Sequence, residues 1–309
     1  MTQPIQLSLR TLLSKLVDYA GLFPPAKLDM AVTVANYANY LGSDDAWALG
    51  RLIVPATRLD EFEQHARGHL PDGGDDPPWQ VTALVGYDSL DDDLRRLAAF
   101  NEMHAGRAQV LVIELRAAST DEIDDTLDRI PDHIFPFFEV AVTDDPRGLI
   151  AAIAGSDAGV KVRTGGVAAA AYPSPEQLAR FIAASASAGV PFKATAGLHH
   201  PLRHFSDAVG TDEFGFLNVF TAGILARATA IDERALAAVL VDESPESFDF
   251  GDEQFRYGDQ TLGVDAIREA REKFAISYGS CSFTEPLELV RALRSGLRPH
   301  TRSGTAAPD

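Results

Sequence analysis

The chain has 309 residues, of which 46% are hydrophobic and 23% charged, a composition typical of a soluble globular protein. Its formal charge of −18 leaves little basic surface, so a nucleic-acid partner is not expected. No window approaches the roughly 18 uncharged apolar residues of a membrane span. The one cysteine, Cys281, cannot form an internal disulfide. These features predict a cytoplasmic protein that binds neither nucleic acid nor membrane.

Short apolar runs of strand length alternate along the chain with longer segments of helical period. The predicted strands lie at 17–23, 51–55, 80–85, 108–115, 134–140, 159–163, 190–196 and 274–278. Eight strand-helix units in one chain predict an α/β fold, a single (β/α)8 TIM barrel that occupies residues 1–298. If the first strand is a loop, an open doubly wound sheet is the alternative.

The predicted barrel has one irregularity, an insertion between strands seven and eight at about 201–273. It contains two predicted helices, FLNVFTAGILARA and ERALAAVLV, and a predicted hairpin, FDFGDEQFRYGDQTL. Long loops at the carboxyl end of a barrel often act as lids or subunit contacts, so we interpret the insertion as lid-like and leave a homo-oligomer open. The tail, 299–309, is predicted to be disordered.

Four successive predicted strands carry a charged residue near their ends: Glu114, Glu139, Lys161 and Lys193. In a (β/α)8 barrel the carboxyl ends of the strands surround the active site. A charged side chain that points into a packed core costs several kcal/mol unless it has a partner or a chemical role. We therefore interpret these four residues as the floor of an active site.

The lysines suggest the chemistry. An amine beside another cation has its pKa lowered, which frees part of it as a nucleophile near neutral pH. Lys161 and Lys193 on neighbouring strands would be such a pair, with Glu114 and Glu139 moving protons. By the two-residue period of a strand, Arg163 shares the face of Lys161, where its guanidinium group could bind a carboxylate or a phosphate.

The run KATAG, 193–197, is similar to the Lys-Thr-Ser-Thr-Gly strand end of deoxyribose-phosphate aldolase, which carries the lysine that forms an imine. That family also keeps a second lysine on an adjacent strand. The resemblance implies that Lys193 forms the imine and that Lys161 activates it. It covers about five residues and the barrel pattern, and the imine lysine of that family lies on the sixth strand rather than the seventh.

We predict a cofactor-independent lyase of the aldolase type, which forms a lysine imine with a small carbonyl substrate that carries a phosphate or carboxylate group. His199 joins the catalytic set, because the histidine run after strand seven offers an acid or base at the mouth of the site. Glycine-rich turns and a helix start after strand eight expose N–H groups that suit an anion. The substrate contacts are predicted to be Arg163, Thr195, Gly165, Gly166, His200, Asn218, Ser280 and Ser282. Asp18 and Tyr19, at the end of strand one, add an acid and a hydroxyl group.

Two alternatives remain open. Asp88, Glu114 and Glu139 end three consecutive strands, and three carboxylates suit Mg²⁺. This arrangement resembles the enolase superfamily and implies a magnesium-dependent enolising lyase or isomerase, although that family carries an N-terminal capping domain and the first strand predicted here begins at residue 17. The second alternative is a non-catalytic barrel that binds a small anion and uses the charged residues as a structural network.

Overall fold

A computed structural model of the protein describes residues 5–294. In chain order its strands are β1 (Val17–Tyr19), β2 (Leu49–Pro55), β3 (Trp79–Leu84), β4 (Ala108–Arg116), β5 (Phe135–Val140), β6 (Gly159–Arg163), β7 (Phe192–Thr195), β8 (His204–Ser206), β9 (Thr211–Glu213), β10 (Asp249–Phe250), β11 (Gln254–Tyr257), β12 (Gln260–Gly263) and β13 (Ala275–Ser280). Within these described residues, β1 to β7 and β13 form a closed, parallel, eight-stranded barrel. The prediction of a (β/α)8 barrel is confirmed, and the open-sheet alternative is wrong because β13 closes the barrel between β7 and β1.

Helices alternate with the strands. In chain order they are α1 (Leu7–Leu13), α2 (Met30–Leu41), α3 (Leu59–Ala66), α4 (Leu90–Met103), α5 (Thr120–Arg129), α6 (Arg147–Ile153), α7 (Pro175–Ala188), α8 (Phe216–Ala228), α9 (Glu233–Val241), α10 (Val264–Lys273) and α11 (Thr284–Arg294). The α7 helix shows how local sequence sets these bounds. Ser174 and Gln177 form a capping box around a proline at the first helical position, and Gly189 ends the helix with a left-handed φ of 68°.

Two barrel strands are shorter than predicted by three or more residues. The first strand stops at Tyr19 because the chain turns immediately afterwards, where the Phe23 amide donates a hydrogen bond to the Ala20 carbonyl. The seventh strand begins at Phe192, because the Val190 amide is bonded to the end of α7. The short strands still reach the carboxyl end of the barrel, where the charged residues lie.

The insertion after β7 is mainly part of the outer layer. The two predicted helices form as α8 and α9, which pack against each other and against α7, while α8 also packs on α10. The β10–β12 sheet lies against α1, and the Ser8 amide donates to the Gly251 carbonyl. The β8–β9 hairpin is bonded to a loop at the carboxyl end of the barrel, through Glu213 and Tyr172. The lid-like interpretation therefore suits this hairpin better than the whole of 201–273.

Among the described residues, none of the helices combines the length and apolar character needed to cross a membrane. The predicted disordered tail, 299–309, lies outside the described residues.

Candidate active site

Strand register explains why the predicted charged residues meet. Across five neighbouring strands, β4 to β7 and β13, one row of register partners runs through Arg116, Glu139, Lys161, Lys193 and Ser277. Register partners in a sheet place their side chains on the same face. Here that face is the barrel interior, so one row of the sheet delivers two amines and a carboxylate to the same place.

A chain of ion pairs connects these groups. Lys161 Nζ lies 2.7 Å from Glu114 Oε2 and 2.8 Å from Glu139 Oε2. Lys193 Nζ lies 2.5 Å from the other oxygen of Glu114, Oε1. One carboxylate therefore bridges both lysines, and a second carboxylate extends the network from Lys161 toward the mouth of the barrel. The structure brings together all four charged residues that the sequence placed at the site floor.

Asp18 completes the inner end of this network. Its Oδ2 atom lies 2.6 Å from Lys193 Nζ and accepts a hydrogen bond of 2.7 Å from the Ser277 hydroxyl. Its Oδ1 atom accepts a hydrogen bond of 2.7 Å from the Arg51 amide. Three donors, from Lys193, Ser277 and Arg51, therefore converge on one buried carboxylate. Asp18 was among the residues predicted at the site, whereas no sequence pattern singled out Ser277.

The exposure of the side chains in the network increases toward the mouth of the barrel. The side chains of Asp18, Glu114 and Lys193 are 2–3% exposed, that of Lys161 is 7% exposed and that of Glu139 is 11% exposed. Arg163 and Arg116, whose Nε atoms lie 3.5 and 3.6 Å from Glu139 Oε1, are 46% and 82% exposed. The network therefore runs from solvent through Glu139 and Lys161 to Lys193 and Asp18. Lys161 lies nearer the mouth than Lys193.

The pKa of Lys193 departs from the expectation of a lowered amine pKa. Burial lowers it, but the adjacent carboxylates of Asp18 and Glu114 outweigh burial and raise the pKa above its usual value. For Glu114, burial raises the pKa, but Lys161 and Lys193 together lower it to about 2. Lys193 is therefore held as an ammonium group and Glu114 as a carboxylate. We expected the second lysine to lower the pKa of Lys193 and free it as an amine. That expectation is wrong, because the carboxylates of Asp18 and Glu114 both contact the Lys193 amine.

A close contact between two loops borders the site. A side-chain Cβ at Gly165 would lie 2.6 Å from the Tyr172 ring and 2.9 Å from Gly197 Cα, so the loops after β6 and β7 approach too closely for any other residue. The Tyr172 hydroxyl donates a hydrogen bond of 2.7 Å to Glu213, on the β8–β9 hairpin, and one of 3.2 Å to the Gly166 carbonyl. Gly165 thus has a packing role, and Tyr172, which no sequence pattern singled out, joins three segments.

Hydrogen bonds from Thr164 hold the end of β7 in place. The Thr195 carbonyl accepts a hydrogen bond of 2.9 Å from the Thr164 amide, and the Thr164 hydroxyl donates to the Ala196 carbonyl at 2.5 Å. Ala196 has a φ of 65°, which is uncommon for a residue other than glycine. Strain of this kind is retained only where surrounding contacts hold it, and it often occurs beside functional sites.

The predicted histidines lie on the loop after β7, outside the lysine network. His199 Nδ1 lies 3.6 Å from Glu285 Oε2. The His200 ring stacks on His204 with a centroid distance of 3.8 Å, and burial together with the neighbouring His204 lowers the pKa of His200. Neither His199 nor His200 is hydrogen-bonded to the lysines or carboxylates of the network within the described residues.

The two predicted serines take part in a turn. The Ser280 hydroxyl accepts a hydrogen bond of 3.3 Å from the Ser282 amide, and the Ser282 hydroxyl accepts one of 3.3 Å from the Glu285 amide in the first turn of α11. These bonds cap the turn that leads into α11. Their role as anion contacts stays a prediction.

Asn218 does not face the site. Its side chain is fully buried, its Oδ1 atom accepts a hydrogen bond from the Arg203 amide, and its Nδ2 atom donates to the carbonyl groups of Val239 and Asp242 at 2.7 Å each. The amide group joins the start of α8 to the end of α9. The structure therefore does not bring Asn218 together with the lysine network, because all of these bonds are made to backbone groups of the insertion, and its contact with a substrate stays a prediction.

We expect the substitution Asn218→Ala to lower the free energy of unfolding by about 2–4 kcal/mol, because it leaves buried backbone groups unpaired. Chemical denaturation at neutral pH measures the effect. Asn39→Ala, at an exposed position of α2, is the matched control and is expected to change stability by less than about 0.5 kcal/mol. Equal effects of the two substitutions would contradict the assigned role.

The three carboxylates of the magnesium alternative are not brought together. Asp88 is exposed in the turn before α4, whereas Glu114 and Glu139 are both bonded to Lys161. Among residues 5–294, no group of three or more histidine, cysteine, aspartate or glutamate side chains is arranged to hold a metal ion. The alternative therefore has no preformed ligand set in the described part of the chain.

Fold and site together define the class of protein: a (β/α)8 barrel with a buried network of lysines and carboxylates at the carboxyl ends of its strands, where enzymes of this fold carry their active sites. No protein-family model matches the chain, and no curated protein matches it either.

Proposed function

We propose that the protein is an enzyme, a lyase that forms an imine between Lys161 and a small carbonyl substrate that carries an anionic group. One observation carries the proposal: two lysine amines share the carboxylate of Glu114 inside the barrel, and one of them is also bonded to a carboxylate at the mouth. A cluster of this kind in a barrel core suits chemistry that needs an amine, an ammonium group and a proton carrier together.

Lys161 is a better nucleophile than Lys193 for two reasons. Lys193 is 2% exposed and is held as an ammonium group between Asp18 and Glu114, so neither its position nor its protonation suits attack on a carbonyl group. Lys161 lies closer to solvent and contacts Glu139, which borders the mouth.

The residues account for the proton steps of imine formation. The Lys161 ammonium group gives one proton to Glu139, and the free amine attacks the carbonyl carbon. The proton on Glu139 then passes to the carbonyl oxygen, and Glu139 takes a second proton from the newly bonded nitrogen and passes it to the same oxygen. That oxygen leaves as water while the freed nitrogen lone pair forms the C=N bond. An ammonium group and a carbonyl compound thus become an iminium ion and water, and Glu139 returns to its starting state.

The iminium ion then accepts electrons from a neighbouring bond. Breaking a C–C or a C–H bond at the carbon next to the C=N carbon places its electron pair in an enamine, and the nitrogen loses its positive charge. The Glu139 carboxylate takes the proton that is released, either from that carbon or, in C–C cleavage, from the hydroxyl group of the fragment that departs as an aldehyde. Lys193 stays charged through this step and contributes a fixed positive charge beside Glu114, in a site with little water. Glu139 then returns its proton to the enamine carbon, which restores the iminium ion, and water hydrolyses that ion to the carbonyl product and the lysine ammonium group.

Borohydride trapping tests the proposal. The purified protein is incubated with glycolaldehyde, glyceraldehyde 3-phosphate and pyruvate in separate samples, reduced, digested and mapped by mass spectrometry, with and without EDTA. The chain has five lysines, and the exposed Lys15, Lys27 and Lys273 serve as internal controls for non-specific reaction.

We expect a reduced adduct on Lys161 that forms faster than adducts on the three exposed lysines and that is insensitive to EDTA. An adduct on Lys193 instead would keep the class of reaction and overturn the choice of nucleophile. Adducts confined to the exposed lysines would overturn the imine proposal. In that case the network would be structural or would serve a different reaction.

A further inference from the structure

The carboxylate of Glu139 has two different neighbours. Its Oε2 atom is bonded to Lys161 Nζ at 2.8 Å, whereas its Oε1 atom faces the Nε atoms of Arg163 and Arg116 at 3.5 and 3.6 Å. Direct hydrogen bonds between nitrogen and oxygen are typically 2.7–3.2 Å long. The two arginines, called here the arginine pair, are therefore attracted to Glu139 without being closely bonded to it.

The guanidinium N–H groups of the arginine pair are not used in hydrogen bonds to other described residues. Within residues 5–294, neither guanidinium group donates a hydrogen bond to the protein, and the side chains are 46% and 82% exposed. By contrast, Arg58 binds both carboxylate oxygens of Glu61 at 2.7 and 2.8 Å. Two guanidinium groups with unused donors therefore lie together at the mouth, beside the carboxylate that contacts Lys161.

We propose that Arg116 and Arg163 bind the anionic group of the substrate, and that this group is a phosphate or carboxylate separated from the carbonyl carbon by at least one further carbon atom. The proposal rests on the proposed function for the position of the carbonyl group. Guanidinium groups present paired N–H donors that match phosphate and carboxylate oxygens, and two of them together suit a group with a charge near −2.

The position of Glu139 excludes a shorter substrate. An anionic group bonded directly to the carbonyl carbon would lie next to the imine nitrogen, where Glu139 Oε2 already stands. Two carboxylates at that point would repel each other. A longer substrate extends past Glu139, so that its anionic group meets the arginines while its carbonyl carbon meets Lys161.

The charge of the network also favours this arrangement. Asp18, Glu114 and Glu139 carry three negative charges, and Lys161 and Lys193 carry two positive charges, which leaves one net negative charge. An anionic substrate would be repelled by the network alone. The arginine pair supplies the positive charge that such a substrate needs to enter.

Calorimetric binding of glycerol 3-phosphate tests the arginine pair without any imine, because this probe has the phosphate and no carbonyl group. We expect the double substitution R116Q/R163Q to weaken its binding by roughly a hundredfold, about tenfold for each arginine. Higher salt should also weaken binding to the unsubstituted protein, because both arginines are exposed. R95Q, at an arginine of α4 that is 72% exposed, is the matched control and should bind as the unsubstituted protein does.

Trapping of two aldehydes then separates this proposal from the proposed function. We expect glyceraldehyde 3-phosphate to label Lys161 faster than propionaldehyde does. The ratio of the two labelling rates should fall toward one in R116Q/R163Q. If Lys161 is labelled but the ratio is unchanged, the arginine proposal fails and the imine proposal stands. If Lys161 is never labelled while glycerol 3-phosphate binding depends on the arginines, the anion site stands and the imine proposal fails. Absence of glycerol 3-phosphate binding, or equal binding by R116Q/R163Q, would overturn the arginine proposal.

Discussion

Replacing Glu114 with glutamine is expected to lower the free energy of unfolding by about 3–5 kcal/mol at neutral pH. The Glu114 side chain is 3% exposed and each of its carboxylate oxygens is bonded to a different lysine. A glutamine keeps the shape but removes the charge, so two buried ammonium groups lose their shared counterion. Breaking one partner of a buried ion pair is costly because the desolvated charge that remains has no compensation. Chemical denaturation followed by circular dichroism measures the change.

The matched control is Glu61→Gln, which removes a carboxylate from an exposed ion pair. Glu61 binds Arg58 in an i,i+3 pair, with side chains 42% and 36% exposed. Exposed pairs of this kind contribute about 0–1 kcal/mol, so the control should be close to neutral. If Glu114→Gln also proved neutral, the ion pairs at Glu114 would not be significant for the stability of the barrel.

The same residue gives a pH dependence with a definite sign. The pKa of Glu114 is lowered from 4.5 to about 2 in the folded protein, since Lys161 and Lys193 outweigh the effect of burial. A lowered carboxyl pKa contributes stability that is present above the unfolded pKa and is lost as pH falls toward the folded pKa. We expect this contribution, about 3 kcal/mol, to disappear between about pH 4.5 and 2. The loss over that window should be smaller in Glu114→Gln than in the unsubstituted protein.

Much of the fold follows from local patterns in the sequence. The bounds of β6, α8 and α9 match the predicted segments, because apolar period and flanking breakers agree there. The convergence of Glu114, Glu139, Lys161 and Lys193 was also predictable, since equivalent positions at strand ends must meet in a barrel. The same two-residue period would have found Arg116, which follows Glu114 by two positions and lies at the mouth.

The contact between Asp18 and Lys193 was not predicted from the sequence, because it arises only when the barrel closes. Strands β1 and β7 are far apart in the chain and both flank β13, so Asp18 reaches Lys193 only in the closed structure. That contact reverses the expected direction of the Lys193 pKa shift. Asn218 illustrates a different limit: α8 is apolar on all sides, so periodicity cannot tell whether a polar residue in it faces a ligand or a neighbouring helix.

Reciprocal arginine substitutions are expected to identify the nucleophile. Lys161→Arg keeps the positive charge between Glu114 and Glu139, but an arginine stays protonated and cannot form an imine. We expect the borohydride adduct of glyceraldehyde 3-phosphate at position 161 to be lost, with at least about a hundredfold decrease in total specific labelling. Because the charge is kept, the free energy of unfolding should change far less than in Glu114→Gln.

Lys193→Arg is the matched partner, because it also keeps a positive charge between two carboxylates, Asp18 and Glu114. If Lys193 acts as a fixed cation, Lys161 should still be labelled in this protein. The opposite pattern, with labelling kept in Lys161→Arg and lost in Lys193→Arg, would make Lys193 the nucleophile. It would also require Lys193 to lose a proton although two carboxylates raise its pKa, and substrate binding would then have to separate it from at least one of them.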